Sequence, residues 1–303
     1  MTLGPTLTRV PPADWPALAP FIVQHNRLPG GGTRCLHSEQ GPDEAAHAQE
    51  LAELPPDEAA YWRLHDGERT VALIGCEFDP ALGRAWLRGP LVTDDAPLPA
   101  LGPQLLHLLR EQLPGLRCFD AFVDERADAL NRLYQHSGFQ RVCTHRTMEA
   151  GWPVAPGSPH PAVAPATMAQ LPVLLALHHT LFPRSYLKDC DFADAVGDPR
   201  RLLLAAQHDG EVVGYLHAKH ETATPVLYID YLGVHDRARG QGLGRALLQA
   251  AMQWGQAQGL HHAALTVQED REPALALYHR LGFGTQSVGV HWRWERDAVS
   301  QAR

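Results

Sequence analysis

The sequence has few cysteines and no long apolar run, and both shortages limit what the protein can be. Its cysteines are odd in number and lack any C-x-x-C spacing; they are Cys35, Cys76, Cys118, Cys143 and Cys190. This pattern predicts reduced thiols and a cytoplasmic location. No stretch approaches the roughly 18 to 20 apolar residues that cross a bilayer. The first residues lack a basic segment followed by an apolar one, so we expect neither a membrane span nor a secretory signal.

An excess of basic residues is also missing. The chain has 26 Lys and Arg against 34 Asp and Glu, so we expect no broad binding to nucleic acid, which needs a basic face to neutralise phosphates. The histidines include two adjacent pairs, His178-His179 and His261-His262, but no H-E-x-x-H spacing. We therefore interpret them as scattered surface and core residues and expect no metal site.

A proline-rich segment divides the chain into two halves. The 303 residues suffice for two domains of ordinary size. Prolines, serine and glycines are concentrated between Gly151 and Pro161, a composition that opposes both helix and strand pairing. We predict a domain over residues 1–150, a linker over 151–165 and a second domain over 166–303.

The two halves resemble each other. Asp66-Gly67-Glu68 and Asp209-Gly210-Glu211 each precede an apolar run, as a hairpin turn precedes a strand. Farther along, the segment 133–139 (LYQHSGF) matches 277–283 (LYHRLGF) in four of seven positions. Since both matches occur at nearly the same offset, we predict a duplicated domain.

The second half alternates strand and helix patterns. Its predicted strands are Arg201 to Gln207, Glu211 to Lys219, Val226 to Val234 and Ala263 to Val267, and its predicted helices are Leu171 to Leu181, Gly242 to Gln258 and Pro273 to Leu281. This alternation predicts an α/β fold with a partly parallel, mixed sheet flanked by helices.

A glycine-rich turn joins one predicted strand to the helix that follows. It consists of Arg239, Gly240, Gln241, Gly242, Leu243 and Gly244, and Arg245 comes next. A helix N-terminus presents unpaired N–H groups, and glycines let phosphate oxygens approach them. The spacing is not that of a dinucleotide-binding fingerprint, and no Gly-Lys-Ser/Thr of a P-loop follows.

The turn and the later 277–283 segment resemble two motifs of the GCN5-related N-acetyltransferases (GNATs). Arg239-x-x-Gly242-x-Gly244 is similar to the family's acyl-CoA signature, and the Leu-Tyr-x-x-x-Gly-Phe segment is similar to its later motif. The resemblance covers about residues 160 to 297 well and 1 to 150 faintly. It implies two tandem GNAT-like domains, each a splayed mixed sheet flanked by helices.

The resemblance also implies a reaction and its residues. Acetyl-CoA is the expected co-substrate, bound by the turn, by Arg245 and by backbone groups of Leu232, Gly233 and Val234. An amine attacks the thioester directly, and Tyr278 occupies the position of the general acid. Tyr278 also has a packing interpretation, because Tyr134 occupies the same motif in the first half.

Two positions depart from the family's pattern. Arg271 stands where an asparagine often contacts CoA, so its charge is expected to meet a phosphate or to be solvated. Thr266 stands where a glutamate often serves as base. Asp230 is our first candidate for the base and Glu269 the second, although a structural role for Asp230 and a surface role for Glu269 stay open.

The first half lacks a comparable turn. Its corresponding segment, Val92 to Gly102, contains two prolines and two acids but one glycine, so we predict that this domain keeps the fold without productive acyl-CoA binding. The glycine-rich run Arg27 to Arg34 is interpreted as a loop, with anion binding as the alternative.

We therefore expect an N-acetyltransferase acting on a small-molecule or peptide amine. A non-catalytic acyl-CoA sensor and a nucleotide-binding protein are the alternatives. Whether the chain forms a homodimer stays open.

Overall fold

The computed structural model describes residues 6–26, 43–93, 97–152, 160–220 and 225–296. The glycine-rich run Arg27 to Arg34 and residues 153–159 of the predicted linker lie outside these residues, as do Asp94 to Ala96. The chain divides into two compact units. Unit 1 comprises Met1–His145 and Ser287–Arg303, and unit 2 comprises Arg146–Gln286.

The helices and strands follow each other in the order that an α/β chain requires. In the first half they are β1 (Thr6–Arg9), a 3-10 helix (Pro12–Leu18), α1 (Ala19–Asn26), α2 (Glu44–Glu53), β2 (Ala59–Asp66), β3 (Arg69–Asp79), β4 (Arg84–Val92), α3 (Leu98–Gln112), β5 (Cys118–Asp124), α4 (Asp128–His136) and β6 (Gln140–Gly151). In the second half they are β7 (Val163–Pro165), a 3-10 helix (Met168–Gln170), α5 (Leu171–Leu181), α6 (Asp189–Asp194), β8 (Arg201–His208), β9 (Glu211–His220), β10 (Val226–Val234), a 3-10 helix (Asp236–Ala238), α7 (Leu243–Ala257), β11 (His262–Gln268), α8 (Glu272–Arg280) and β12 (Gly284–Glu295).

Unit 1 is built on a mixed sheet. Strands β1 to β4 are antiparallel neighbours, β5 runs parallel to β4, and β12 is antiparallel to β5. Because successive side chains of a strand point to opposite faces, β3 feeds two cores. Ile74 packs with α3 and α4 on one face, and Leu73 packs with Trp15 and Leu51 on the other.

Unit 2 repeats this plan. Strands β7 to β10 are antiparallel neighbours and β11 runs parallel to β10. Leu204 and Leu216 contribute to the core beneath α7 and α8, whereas Leu203 and Tyr215 contribute to the core beneath α5 and α6. Helices therefore cover both faces of a mixed sheet in each unit, as predicted.

The strands of unit 2 contain one irregularity that matters for the site. Ile229 of β10 pairs with Ala218 of β9, and Tyr231 pairs with His217. Ala218 and His217 are adjacent on β9, whereas Ile229 and Tyr231 are separated by Asp230 on β10. Asp230 is therefore the additional residue of a β-bulge. Bulges re-aim side chains and are common beside functional sites.

The units have bounds that differ from the domain boundaries expected from the sequence. The last strand, β12, pairs with β5 of unit 1 from Gly289 to Glu295, and Arg146 to Trp152 belong to unit 2. The last three residues of the predicted linker, Val163–Pro165, form strand β7, which pairs with β8. A proline is tolerated there, since an edge strand hydrogen-bonds on one side only.

The individual helices and strands of unit 2 agree closely with those predicted. Strand β10 and helix α5 have the bounds given by the sequence pattern, and the other predicted helices and strands differ by one residue at their ends. Among the described residues, no helix combines the length and the apolar composition needed to cross a membrane.

Candidate active site in unit 2

The glycine-rich turn ends in a helix N-terminus that can bind an anion. Gly240 and Gly242 both have φ of 79°, a left-handed conformation that glycine adopts without steric cost. Gly242 is the N-cap of α7, and the N–H of Ala246 makes the first helical bond, to the Gly242 carbonyl oxygen at 3.0 Å. The N–H groups of residues 243–245 therefore have no helical acceptor. The first turn contains no acid, so its positive dipole end is not neutralised.

Two exposed arginines flank this N-terminus. Arg239 lies with Nη2 2.7 Å from Asp236 Oδ1, and both side chains are exposed to solvent. Arg245 is exposed and makes no ion pair with the described residues. Gln241 is exposed between the two glycines. The structure thus brings the predicted phosphate-binding residues to one exposed corner of unit 2.

The end of β10 and helix α8 meet the turn at Gly244. A Cβ at this position would lie 3.6 Å from Leu277 Cδ2 and 3.9 Å from Val234 Cγ2. Leu277 immediately precedes Tyr278, and Val234 ends the segment Leu232–Val234. The two motifs and the strand end that the sequence associated are therefore neighbours in the fold.

Tyr278 is buried, and its hydroxyl has no hydrogen-bond partner among the described residues. The residue is 8% exposed and packs on Phe283, with the ring centroids 5.8 Å apart. Burial raises the pKa of Tyr278 to about 12, so the phenol is protonated at neutral pH. The ring serves the packing of unit 2, and its hydroxyl retains a proton that it can donate.

Glu269 and Arg271 follow β11 at the surface. Glu269 is paired with the Arg146 guanidinium, and its side chain is 45% exposed. Arg271 directs Nε to Gln268 Oε1 at 3.2 Å and lies 3.8 Å from Asp270, with its side chain 67% exposed. Glu269 therefore has a cationic partner, whereas Arg271 remains accessible to a phosphate.

Asp230 lies in a buried hydrogen-bonded cluster. Its side chain is 1% exposed. Oδ2 is 2.9 Å from His217 Nδ1, and Oδ1 accepts a hydrogen bond from the Tyr186 hydroxyl at 2.7 Å. Desolvation of its hydroxyl and the charge of Asp230 raise the pKa of Tyr186 well above its usual value. The residue as a whole is nevertheless 42% exposed to solvent. Tyr186 thus links a buried carboxylate to the surface.

A second buried pair lies against this cluster. His178 Nδ1 is 2.5 Å from the Tyr215 hydroxyl, and desolvation together with the neighbouring His179 and His217 lowers the pKa of His178 to about 4. Nε2 of His178 and Nε2 of His217 are buried without a hydrogen-bond partner among the described residues. The Phe192 ring contacts both imidazoles, at centroid distances of 4.8 and 5.5 Å.

Sequence reasoning did not single out Tyr186, His217, His178 or Tyr215 as site residues. The sequence did contain a signal for three of these residues, because they occupy core-facing positions of predicted elements. Tyr215 and His217 are two residues apart on β9, and His178 follows Leu174 by four residues on the buried face of α5. Polar side chains at core-facing positions need hydrogen-bond partners, so such positions indicate a buried polar cluster.

The end of α5 packs directly on β10 at Gly233. A Cβ there would lie 2.8 Å from Leu181 Cδ1 and 3.0 Å from Tyr215 Cε1. A larger residue would require the Leu181 side chain to move, so glycine allows the end of α5 to lie close beside the strand that leads into the turn.

The corresponding helix of unit 1 begins differently. Helix α3 has Pro97 as its N-cap and a second proline in its first turn. Proline carries no N–H, so this N-terminus offers fewer donors than that of α7.

Comparison with known proteins agrees with this geometry. The model of the Acetyltransferase (GNAT) family matches residues 171–283. This segment of the chain is therefore similar to a GNAT domain, and it contains the turn, the bulged strand and Tyr278.

Curated relatives match about a third of the chain. A mycothiol acetyltransferase of Clavibacter michiganensis subsp. michiganensis is 41% identical over 96 residues, which are 32% of this chain and 31% of the relative. Another, of Frankia casuarinae, is 39% identical over 112 residues, or 34% and 32% of the two chains. The chain thus spans about a third of the length of these relatives.

Solved structures match nearly the whole chain in fold. A GCN5-related N-acetyltransferase from Sphaerobacter thermophilus has a TM-score of 0.76 at 18% identity, covering 96% of this chain and 95% of its own. A tandem GNAT protein from the clavulanic acid biosynthesis pathway has a TM-score of 0.69 at 17% identity, covering 96% and 98%. These likenesses confirm the predicted fold of two tandem GNAT-like units.

Proposed function

We propose that unit 2 transfers an acetyl group from acetyl-CoA to a primary amine of a small molecule or peptide. The observation that carries the proposal is the meeting of three features at Gly244. These are the anion-binding N-terminus of α7, the end of β10, and the helix that bears Tyr278. A phosphate site, a strand end and a protonated phenol are the parts that thioester aminolysis requires.

Acetyl-CoA is positioned through two chemically distinct parts, its pyrophosphate and its pantetheine arm. The pyrophosphate of acetyl-CoA binds the N–H groups of residues 243–245 and the cations of Arg239 and Arg245. Arg271 supplies charge for a phosphate farther along the nucleotide. The pantetheine arm follows the backbone of Leu232, Gly233 and Val234, which brings the thioester toward Tyr278.

The reaction then needs one nucleophilic attack and two proton transfers. The amine nitrogen forms a bond to the acetyl carbon, and backbone N–H groups stabilise the oxyanion. The carbon–sulfur bond breaks as the thiolate takes the proton of Tyr278, which solvent replaces. The nitrogen attacks as the neutral amine, becomes positively charged as the bond forms, and gives one proton to a base.

Asp230 is the first candidate for that base and Glu269 the second. Asp230 is favoured because it is buried beside the strand end and is linked to the surface by Tyr186. Glu269 is disfavoured by its pairing with Arg146. An acceptor amine that displaced the Tyr186 hydroxyl would meet the Asp230 carboxylate directly.

The acceptor class is narrowed by the relatives named mycothiol acetyltransferase. We propose a small primary amine in a polar molecule, with mycothiol lacking its acetyl group as the first compound to test. We further propose that the protein acts in the cytoplasm, in keeping with the spacing of its cysteines.

The test is release of the CoA thiol from acetyl-CoA in the presence of a panel of acceptors. The panel contains mycothiol without its acetyl group, polyamines, aminoglycosides and peptides. Amine-dependent release with formation of the acetylated amine supports the proposal. Tight acetyl-CoA binding without turnover across the panel identifies the sensor alternative. A larger thermal shift with NAD or ATP than with acetyl-CoA identifies a nucleotide-binding protein.

A further inference from the structure

Three metal-ligating side chains converge in unit 1. Cys143 and His145 are two residues apart on β6, and His291 lies on β12, 148 residues after Cys143. Cys143 Sγ is 3.1 Å from His145 Nε2 and 3.7 Å from His291 Nδ1. The three ligand atoms all lie within 4.8 Å of one another.

The buried carboxylate of Asp120 determines which nitrogen of His291 faces the thiol. Asp120 Oδ1 is 2.7 Å from His291 Nε2. Asp120 also accepts hydrogen bonds from the Arg293 guanidinium and forms an ion pair with Arg84. Since an ionised carboxylate can only accept, Nε2 of His291 carries the hydrogen. Nδ1 of a neutral His291 therefore presents a lone pair toward Cys143.

The orientation of the His291 ring is fixed from a second side. The ring of Phe122 stacks on His291, with centroids 4.4 Å apart and planes 19° apart. Phe122 also meets His145 edge to face, at a centroid distance of 5.4 Å. A ligating histidine held by a carboxylate on its other nitrogen is the arrangement in which proteins prepare metal ligands.

We propose that Cys143, His145 and His291 bind a zinc ion, with a fourth position open to water or a small ligand. One thiolate and two imidazoles form a donor set that suits Zn²⁺. Tetrahedral zinc at ordinary bond lengths separates sulfur from nitrogen by roughly 3.5 Å, close to the two observed distances. Binding replaces the proton of the Cys143 thiol, so one proton is released for each ion bound. Such a site would differ from the expectation that the histidines are scattered core and surface residues without a metal.

The ion would join two strands that are far apart in the sequence. Strand β6 lies just before the second half of the chain and β12 lies at its end. An ion that binds residues of both strands only in the folded protein stabilises unit 1 against unfolding. We expect the effect on stability to depend on Cys143 and to be absent when the thiol is replaced.

The test is a titration of the chelator-stripped full chain with Zn²⁺ alone, followed by calorimetry. We expect one ion per chain, a rise in melting temperature, and a thiolate-to-metal charge-transfer band when Co²⁺ replaces zinc. Cys143→Ser should weaken binding by at least about 100-fold and abolish the charge-transfer band. The matched control is Cys190→Ser, which removes an exposed thiol of unit 2 and should bind as the wild type does.

A second variant keeps the proposal testable if Cys143→Ser does not fold. His145→Gln removes a half-buried imidazole, and circular dichroism verifies its fold. It should weaken zinc binding by about 100-fold, whereas His107→Gln, at an exposed position of α3, should not. Stoichiometric binding that is unchanged in His145→Gln, or the absence of binding to the wild type, would overturn the proposal and leave a hydrogen-bonded cluster without a metal.

Discussion

The phenol hydroxyl of Tyr134 donates a hydrogen bond to the backbone carbonyl oxygen of Gly89, within β4. Tyr134 occupies in unit 1 the sequence position that Tyr278 occupies in unit 2, where the hydroxyl has no partner among the described residues. The same residue therefore has a structural hydrogen bond in one unit and an available proton in the other. This difference supports the proposal that the chemistry belongs to unit 2.

The first prediction concerns Tyr278. Tyr278→Phe keeps the buried ring and removes only the hydroxyl, so acetyl-CoA affinity should change little. Turnover should fall by about 100-fold, because the departing thiolate loses its proton donor. Steady-state kinetics with acetyl-CoA varied at saturating amine separate kcat from KM. Turnover equal to that of the wild type would reduce Tyr278 to its packing role.

The matched control is Tyr134→Phe. It removes the hydroxyl that bonds Gly89 and leaves a buried carbonyl group without that partner, which costs about 1 to 3 kcal/mol of unfolding free energy. Thermal denaturation should therefore detect this change, whereas kcat should stay near that of the wild type. A loss of turnover in Tyr134→Phe would contradict the assignment of the chemistry to unit 2.

The second prediction concerns the turn. Gly242→Leu introduces a side chain at φ of 79°, and should weaken acetyl-CoA binding by more than about tenfold, because the strained turn no longer presents the N–H groups of α7. Isothermal titration calorimetry measures the affinity. Gly259→Leu is the control, since Gly259 has φ of 76° at the other end of the same helix. Equal losses in both variants would indicate damage to α7 rather than to the turn.

The third prediction distinguishes the two candidate bases. Asp230→Asn removes the acidic group, while its amide can still bond Tyr186 or His217, and should lower kcat by about 100-fold. Glu269→Gln should lower kcat by less than about threefold, because Glu269 lies at the surface against Arg146. The pH dependence of kcat/KM is measured for both. Retained activity in Asp230→Asn with a loss in Glu269→Gln would reverse the assignment.

The fourth prediction concerns pH and stability. His178 has a pKa of about 4 in the fold against 6.5 in the unfolded chain. The unfolded chain therefore binds the additional proton between these values, and stability falls as pH decreases from 6.5 to 4. At about 1.4 kcal/mol per pKa unit, the loss is on the order of 3 kcal/mol. Above pH 6.5 this loss of stability is absent, because His178 binds no proton in either the folded or the unfolded chain.

His178→Asn tests this contribution. Asparagine can still bond the Tyr215 hydroxyl but does not titrate, so the variant should lose less stability on acidification than the wild type. Melting temperatures measured from pH 7 to pH 4.5 give the comparison. Parallel curves for the two proteins would show that His178 does not cause the dependence.

Local patterns predicted much of unit 2. The apolar run of β10 gave the strand with its bounds, and the positions of Leu243, Ala246 and Leu247 gave the buried face of α7. These signals lie within one element and depend on its periodicity and caps. For the same reason the turn and Tyr278 were recognisable before the structure was known.

Other features depended on contacts between distant residues. The membership of the last segment, from Ser287, in unit 1 follows from the pairing of β12 with β5, which no composition reveals. The bulge at Asp230 depends on the register of β9 against β10. The meeting of Tyr186, Asp230 and His217 depends on the path of the loop after α5.

The sequence by itself determined the elements, the duplication and the glycine-rich turn, because each is encoded in adjacent residues whose spacing has a direct physical meaning. Only the tertiary structure decided which tyrosine keeps an available proton, which carboxylate is buried and which cysteine meets two histidines. Each of these depends on the distance between atoms that are far apart in the chain, and that distance is determined by strand register and packing.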